Sequence, residues 1–336
     1  MAVLITGGLG YIGSHTAVEL LNKGRDIVII DDLYNSKIVV KNRIEEITGR
    51  EVKFYNIDLL DIEKVEKVFQ ENYIDSVIHF AAYKAVGEST REPLKYYYNN
   101  MTSMFSVLKT MKKYKVNDFI FSSSATVYGM NNIMPVKEYF PLSVTNPYGR
   151  TKLMGEEVLR DLYNSDNSWN IGILRYFNPV GAHESGLIGE DPNGIPSNIM
   201  PYISKVAVGE LKVVSVFGDD YDTPDGTGVR DYIHVVDIAK GHIAVLDKLK
   251  KKPGLVTYNL GTGKGYSVLE LIRAFSKASG IDIPYKIVGR REGDVAKCYS
   301  DPNKANKELG WFAKKVIEEM CKDSWNWQKN NPKGYI

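Results

Sequence analysis

The chain has little of several things, and each shortage excludes a class. Its 336 residues hold two cysteines, Cys298 and Cys321, too few for a disulfide framework and in keeping with a reducing cytoplasm. There is no run of 18 apolar residues and no basic leader with a cleavage site before MAVLITGG, so a soluble, unprocessed protein without a membrane partner is expected. Charge of either sign is not in excess: 43 basic residues face 41 acidic ones, a formal net of +2, which supplies no long-range field for nucleic acid or an anionic bilayer. No basic stretch is interleaved with aromatics in the manner of a nucleic-acid surface. The five histidines, His15, His79, His183, His234 and His242, are scattered without ligand spacing, so no metal site is expected, and His15 reads as a first-turn helix residue. Anionic ligands must then be held locally.

What is present is alternation. Apolar runs such as AVLIT, DIVIID, SVIHFAA, DFIFSSS and IGILRYFNP are separated by amphipathic stretches such as SHTAVELLNKG and IEKVEKVFQEN. That rhythm predicts a parallel sheet covered by helices on both faces, an α/β doubly wound fold of the Rossmann type. After about Val180 it breaks into GEDPNGIPSN and GDDYDTPDGTG, loops suited to building a site on a smaller C-terminal α/β lobe, with a soft boundary near 178–183. Trp325 and Trp327 are expected in that lobe's core.

The first strand runs into TGGLGYIGSH, where Gly7, Gly10 and Gly13 stand three apart ahead of a helix. Such glycines permit a tight turn and let backbone amides approach a pyrophosphate at the helix's positive end. Asp31 closes the second strand eighteen positions after Gly13, where an acid accepts from ribose hydroxyls and repels a ribose phosphate, which predicts NAD rather than NADP. Asp58, which ends the third strand in YNID, either meets the adenine or caps the next helix.

The stretch NPYGRTKL places Tyr148 and Lys152 at i and i+4 on one helical face. Bringing a phenol from about 10 to near 7 takes roughly 4 kcal/mol. One cation ~4 Å away at an effective dielectric of ~20 supplies about that, and an oxidised nicotinamide adds to it, so Tyr148 is a candidate general base. A Tyr/Lys pair at this spacing is often only packing; the buried strand FIFSSS upstream gives it a setting. Ser124 is the candidate to hydrogen-bond a reacting alcohol, with Ser122 and Ser123 satisfying backbone locally.

The runs TGGLGYIGSH, HFAAYKAVGES, SSSATVYG, NPYGRTKL, LRYFNPVGA, DGTGVRDYIHV, YNLGTG and RREGD, in this order from Val3 to the tail SWNWQKNNPKGY, resemble the UDP-glucose 4-epimerase family of the extended short-chain dehydrogenases/reductases. The resemblance implies an NAD-binding Rossmann domain over residues 1–180 and a mainly UDP-sugar-binding domain over 181–336, with part of 236–260 returning to the first. It implies reversible epimerisation at the fourth carbon of UDP-hexoses through a 4-keto sugar, with tightly held NAD, in a homodimer. Tyr148 would take the proton of the 4-hydroxyl, Ser124 would bridge hydroxyl and phenol, and Lys152 would bind the nicotinamide ribose. Positions matching the family's cofactor site are Tyr11, Ile12, Asp32, Asn35, Ser36, Phe80, Lys84, Asn99 and Phe177, beside the glycines, Asp31 and Asp58. Those matching its substrate site, besides Lys84, Ser124 and Tyr148, are Asn178, Asn198, Phe217, Arg230, Tyr232, Arg291, Asp294 and Cys298. Arg230 and Arg291 would fork onto the diphosphate, Phe217 would meet the uracil and Asp294 the uridine ribose.

Cys298 stands where many relatives acting on plain hexoses carry a tyrosine. A thiol there opens space for an N-acetyl group and implies activity on UDP-N-acetylglucosamine and UDP-N-acetylgalactosamine; alternatively Cys298 simply packs, or Tyr299 fills the wall. Rival readings are a nucleotide-sugar 4,6-dehydratase, for which Ala125 and Thr126 lack the acid pair that elimination needs, an NAD-linked sugar dehydrogenase, and a non-catalytic NAD-binding sensor.

Overall fold

The computed structural model describes residues 1–130, 133–291 and 293–335, so Glu292 of the RREGD run lies outside them. Two compact units divide the chain: one takes residues 1–129, 141–175 and 239–258, the other 130–140, 176–238 and 259 onward.

In the first unit the alternation becomes β1 (Ala2–Thr6), β2 (Asp26–Asp31), β3 (Lys53–Asn56), β4 (Ile74–His79), β5 (Asp118–Ser124) and β6 (Asn170–Tyr176), joined by a late strand, Leu255–Leu260. Their order is Leu255–Leu260, β6, β5, β4, β1, β2, β3, with the pairs from β3 through β5 parallel. This is the doubly wound sheet that the apolar runs predict. The linking helices are α1 (Tyr11–Asn22), α2 (Val39–Thr48), α3 (Ile62–Glu71), α4 (Val86–Arg91), α5 (Pro93–Tyr114) and α6 (Pro147–Ser165). Leu4, Val28, Val77, Phe119 and Ile171 of successive strands meet Val65, Val107, Met111 and Leu159 of the helices in one buried cluster. At about 1.5–3 kcal/mol per fully buried aliphatic or aromatic side chain, that cluster is what fixes the layers.

Strand order reverses at β1, which lies between β4 and β2, the switch point at which open α/β sheets bind ligands. Thr6 is level with Ile30 and with His79, and His79 with Phe121. Ser122, Ser123 and Ser124 therefore overhang the carboxyl edge of the sheet, beside that switch point.

The second unit has its own core. Val180, Met200, Val214, Tyr232, Leu271, Phe275, Ile317, Met320 and Cys321 pack together, with Trp325 against them. Three small sheets surround it: Asn178–Val180 with Tyr232–His234; Val214–Phe217 with Tyr285–Val288; and Val229–Arg230 between Tyr266–Ser267 and Lys297–Cys298. Trp327 is buried and meets Tyr335 with ring centroids 4.5 Å apart. Among the described residues no helix is long and apolar enough to cross a membrane.

Candidate active site

Helix α6 begins as NPYG dictates. Asn146 is its N-cap, with its side chain accepting from the Gly149 N–H (2.8 Å), and Pro147 opens the helix where no N–H is needed. This start sets the phase that turns Tyr148, Lys152 and Glu156 toward β5. Gly155 allows the close approach: a Cβ there would sit 2.6 Å from the Phe121 ring. Each serine at the strand end then finds its own partner one turn further along α6. Ser124 hydrogen-bonds the Tyr148 phenol, Ser122 accepts from Lys152 Nζ (3.3 Å), and Ser123 donates to Glu156 Oε1 (2.6 Å). Ser124 also caps the short turn Ala125–Tyr128, accepting from the Thr126 N–H at 3.2 Å. The expectation that Ser122 and Ser123 serve local backbone is thus corrected: both bind side chains of α6.

Electrostatics also depart from expectation. Burial pushes the Tyr148 phenol up to about 12, against the pull of its Ser124 hydrogen bond, and burial brings Lys152 down to about 7. His79, held by Thr6 (2.8 Å), is driven to about 3 by burial and by Lys152. Loss of solvation disfavours both charged forms at once, and it is the leading cause of each shift.

At the other end of the edge, Gly7 adopts a left-handed backbone (φ 68°), and a Cβ on it would lie 2.8 Å from the Ala81 nitrogen. A Cβ on Gly13 would meet the Gly7 carbonyl. Gly10 caps α1 with no side chain and the first turn, which includes Tyr11 and Ile12, holds no acid, so the helix's positive end is uncompensated. Asp31 is buried at the end of β2 and accepts from the Leu9 N–H (3.0 Å), the Leu33 N–H (3.0 Å) and Ser36 Oγ (2.6 Å); burial raises its pKa while these bonds oppose the rise. Asp32 accepts from the Tyr34 N–H (2.9 Å), and Asn35 is exposed on the same loop. Phe80 follows β4 and packs on His242 (4.8 Å), while Lys84 Nζ stands 6.0 Å from the Tyr11 ring centre. Asn99 donates to Asn100, whose side chain binds both the N–H (2.8 Å) and the C=O (3.1 Å) of Tyr83. Asp58 is exposed beyond β3, and the cap of α3 is Asp61, which accepts from the Lys64 N–H at 3.2 Å. Of the two roles considered for Asp58, capping falls to Asp61.

In the second unit five of the expected substrate residues converge. Arg291 pairs with Asp294 (3.0 Å) and lies over the Phe217 ring (5.5 Å); Arg230 reaches the same Asp294 at 3.6 Å. Cys298 is aligned with Arg230 across a parallel pair, which puts the two side chains on one face. Tyr299 turns the other way, its ring beside Gly265 and its N–H on Met134 Sδ (3.5 Å), so the thiol and not the phenol shares the arginine's side. Burial pushes that thiol up to about 11, so it is neutral. Asn178 pairs with Tyr232 between strands, Asn198 donates to Glu190 (3.0 Å), and Phe177 is buried with its N–H on Leu260 O. Tyr232, 1% exposed, packs inside the second core, where the nearby Arg230 opposes the rise that burial gives its phenol.

Two buried hubs were not anticipated. Glu156 takes a two-pronged contact from Arg175 (2.9 and 2.6 Å) as well as the Ser123 bond, and Arg175 also reaches Tyr128 Oη (2.9 Å). Its signals were a lone arginine inside IGILRYF and a glutamate one turn beyond Lys152. Asp231 accepts from Thr262, Gly263 and Ser300, fastening the YNLGTG loop to the residues after Cys298. Its signal was an acid in GVRDY, between Arg230 and Tyr232.

Against known proteins, the profile of the GDP-mannose 4,6 dehydratase family matches residues 4–324. The UDP-glucose 4-epimerase of Bacillus subtilis is 60% identical over 335 residues, covering 100% of this chain and 99% of that protein. The crystal structure of UDP-glucose 4-epimerase from Bifidobacterium longum in complex with NAD+ and UDP superposes with a TM-score of 0.97 at 59% identity, covering 100% of both chains. A UDP-Glc/GlcNAc 4-epimerase from Campylobacter jejuni superposes with a TM-score of 0.85 at 38% identity, over 98% of this chain and 99% of that one.

Proposed function

The chain belongs to the GDP-mannose 4,6 dehydratase family and, within it, to the UDP-glucose 4-epimerases, and on that footing we propose that it interconverts UDP-galactose and UDP-glucose through a 4-keto sugar with NAD held throughout. The observation that carries this is the placing of Tyr148 and Lys152 one turn apart on α6 against the serines that end β5, Lys152 bonding Ser122, at the carboxyl edge of the sheet. The residues present fit a dinucleotide: an uncapped helix end behind a glycine loop accepts a pyrophosphate, and a buried acid closing β2 accepts ribose hydroxyls and disfavours a ribose phosphate. Gly7, Gly10, Tyr11, Ile12, Gly13, Asp31, Asp32, Asn35, Ser36, Asp58, Phe80, Lys84, Asn99, Lys152 and Phe177 are the residues assigned to it. Bound there, NAD supplies the acceptor, and then the donor, of the hydride at the fourth carbon.

The chain's own work is proton handling and grip. Tyr148 takes the proton of the 4-hydroxyl and returns it, Ser124 orients that hydroxyl, and Lys152 holds the ribose side of the pocket. Arg230 and Arg291 neutralise the diphosphate, Phe217 and Asp294 meet the uridine, and Asn178 and Asn198 reach the phosphate or sugar. A firm nucleotide grip leaves the sugar loose enough to turn over. Elimination, the dehydratase reaction, finds no acid after Ser124, where Ala125 and Thr126 stand. Mixing the protein with UDP-galactose should yield UDP-glucose without net reduction of NAD, and absence of product overturns the reading.

Sugar specificity follows from Cys298. Lying on the Arg230 face, the small neutral thiol leaves room that a tyrosine would fill, which supports turnover of UDP-N-acetylglucosamine as well. A Cys298→Tyr variant should keep activity on UDP-galactose and lose it on the N-acetylated sugar. A parent protein inert toward the latter ends this claim.

The active unit is a homodimer. On α5, Leu94, Tyr98 and Phe105 are 81%, 65% and 39% exposed at spacings of four and seven, one apolar stripe without a cover in its own chain. A second copy of α5, related by a two-fold axis, matches it. Tyr98→Glu is expected to move the protein from dimer to monomer by light scattering, and an unchanged mass would remove this interface. With both cysteines unpaired, the reducing cytoplasm is its place.

A further inference from the structure

The loops on either side of the glycine turn are joined above it. β2 and β4 flank β1, so the segment after β2, which carries Tyr34, and the segment after β4, which carries Tyr83, stand on opposite sides of Gly7–Gly10. Yet the two tyrosine rings meet, with centroids 4.8 Å apart. Lys95, from the first turn of α5, lies 5.3 Å from one ring centre and 5.0 Å from the other. Its Nζ donates to Tyr34 Oη (2.9 Å) and to Glu88 of α4 (2.7 Å), and Glu88 in turn accepts from Tyr96 Oη at 2.7 Å. A bridge of two rings and one ammonium group thus crosses the carboxyl end of β1.

The two halves of the bridge are unequal. Tyr83 is fixed, because the buried Asn100 side chain binds its N–H and its C=O, and the same amide donates to Thr151 Oγ1 (3.0 Å), which donates to the Tyr148 carbonyl (2.8 Å). Tyr34 is half exposed and follows Leu33, a non-glycine residue in the left-handed region (φ 62°). Opening therefore moves the Tyr34 side, breaking its Lys95 bond and its ring contact, with Leu33 as the strained joint.

We propose that Tyr34, Tyr83 and Lys95 form a clasp over the pyrophosphate of the dinucleotide, so that release of the cofactor requires Tyr34 to swing off Tyr83 and Lys95. This rests on the cofactor reading above and adds what keeps the cofactor from leaving. A charge-assisted hydrogen bond together with an aromatic contact is enough to slow dissociation by about tenfold or more.

The test is the release of NAD from purified holoprotein during dialysis, followed by chromatography of the released nucleotide. Tyr34→Ala and Lys95→Met should each shed NAD about tenfold faster than the parent. The double variant should shed it no faster than the worse single variant, because both act through one clasp. Tyr73→Ala, at an exposed position before β4 at the opposite edge of the sheet, should retain NAD like the parent. Parent and clasp variants that hold NAD equally well overturn the clasp alone. A parent that carries no dinucleotide overturns the clasp and the cofactor reading together.

Discussion

Tyr148→Phe is expected to lower kcat by about 10²- to 10⁴-fold, the range for loss of a positioned general base, while UDP and NAD still bind. Burial pushes the phenol up to about 12 and brings Lys152 down to about 7, which favours a protonated Tyr148 at neutral pH. A tyrosine raised in this way ionises only where positive charge is added beside it, and the oxidised nicotinamide of the proposed cofactor would be such a charge. A tyrosinate absorbance titration should find Tyr148 protonated well above neutrality in stripped protein and ionised at lower pH once NAD is bound. Lys152→Met should remove part of that difference. Turnover by Tyr148→Phe equal to the parent's would end the mechanism, and identical titrations with and without NAD would end its electrostatic half.

Features fixed by short-range geometry were legible in the sequence. Glycines three apart before a helix, an acid closing the next strand, and a Tyr/Lys pair four apart each constrain the backbone within a few residues, and the structure places them along one sheet edge. The unread features depend on distances along the chain that a sequence pattern does not carry. Ser123 finds Glu156 thirty-three positions away, and Asp231 gathers partners 31 and 69 positions away.

Tyr232 shows another feature that a pattern does not carry: the chain changes sheets between it and Arg230, Val229–Arg230 pairing with Lys297–Cys298 and Tyr232–His234 with Asn178–Val180. Desolvation is likewise invisible in spacing: a Tyr/Lys pair on a solvated helix face and the same pair under a sheet edge differ in it.

The largest stability effect is expected at the hub that spacing did not reveal. Glu156 and Arg175 are 0% and 1% exposed, and removing one partner leaves the other charge buried alone, at a cost of about 3–5 kcal/mol. Glu156→Ala should therefore lower the midpoint of thermal unfolding far more than Arg160→Ala. Arg160 touches the same carboxylate at 2.8 Å but is 36% exposed, and an exposed partner is worth only up to about 1 kcal/mol. The sign of the pH dependence follows from the same network. Although burial raises the Glu156 pKa, its bonds to Arg175, Ser123 and Arg160 win and hold it below the usual carboxylate range. The pair's stabilisation is thus complete above the unfolded value and is lost as pH falls through the folded one, so the gap between parent and Glu156→Ala should narrow only on strong acidification. Turnover should fall with it, because Ser123 precedes Ser124 and Tyr128 closes the turn after it, and both are tied to this pair. If Arg160→Ala proves the more damaging change, or if the gap closes on raising the pH instead, the buried pair is not what holds the strand end that carries Ser124.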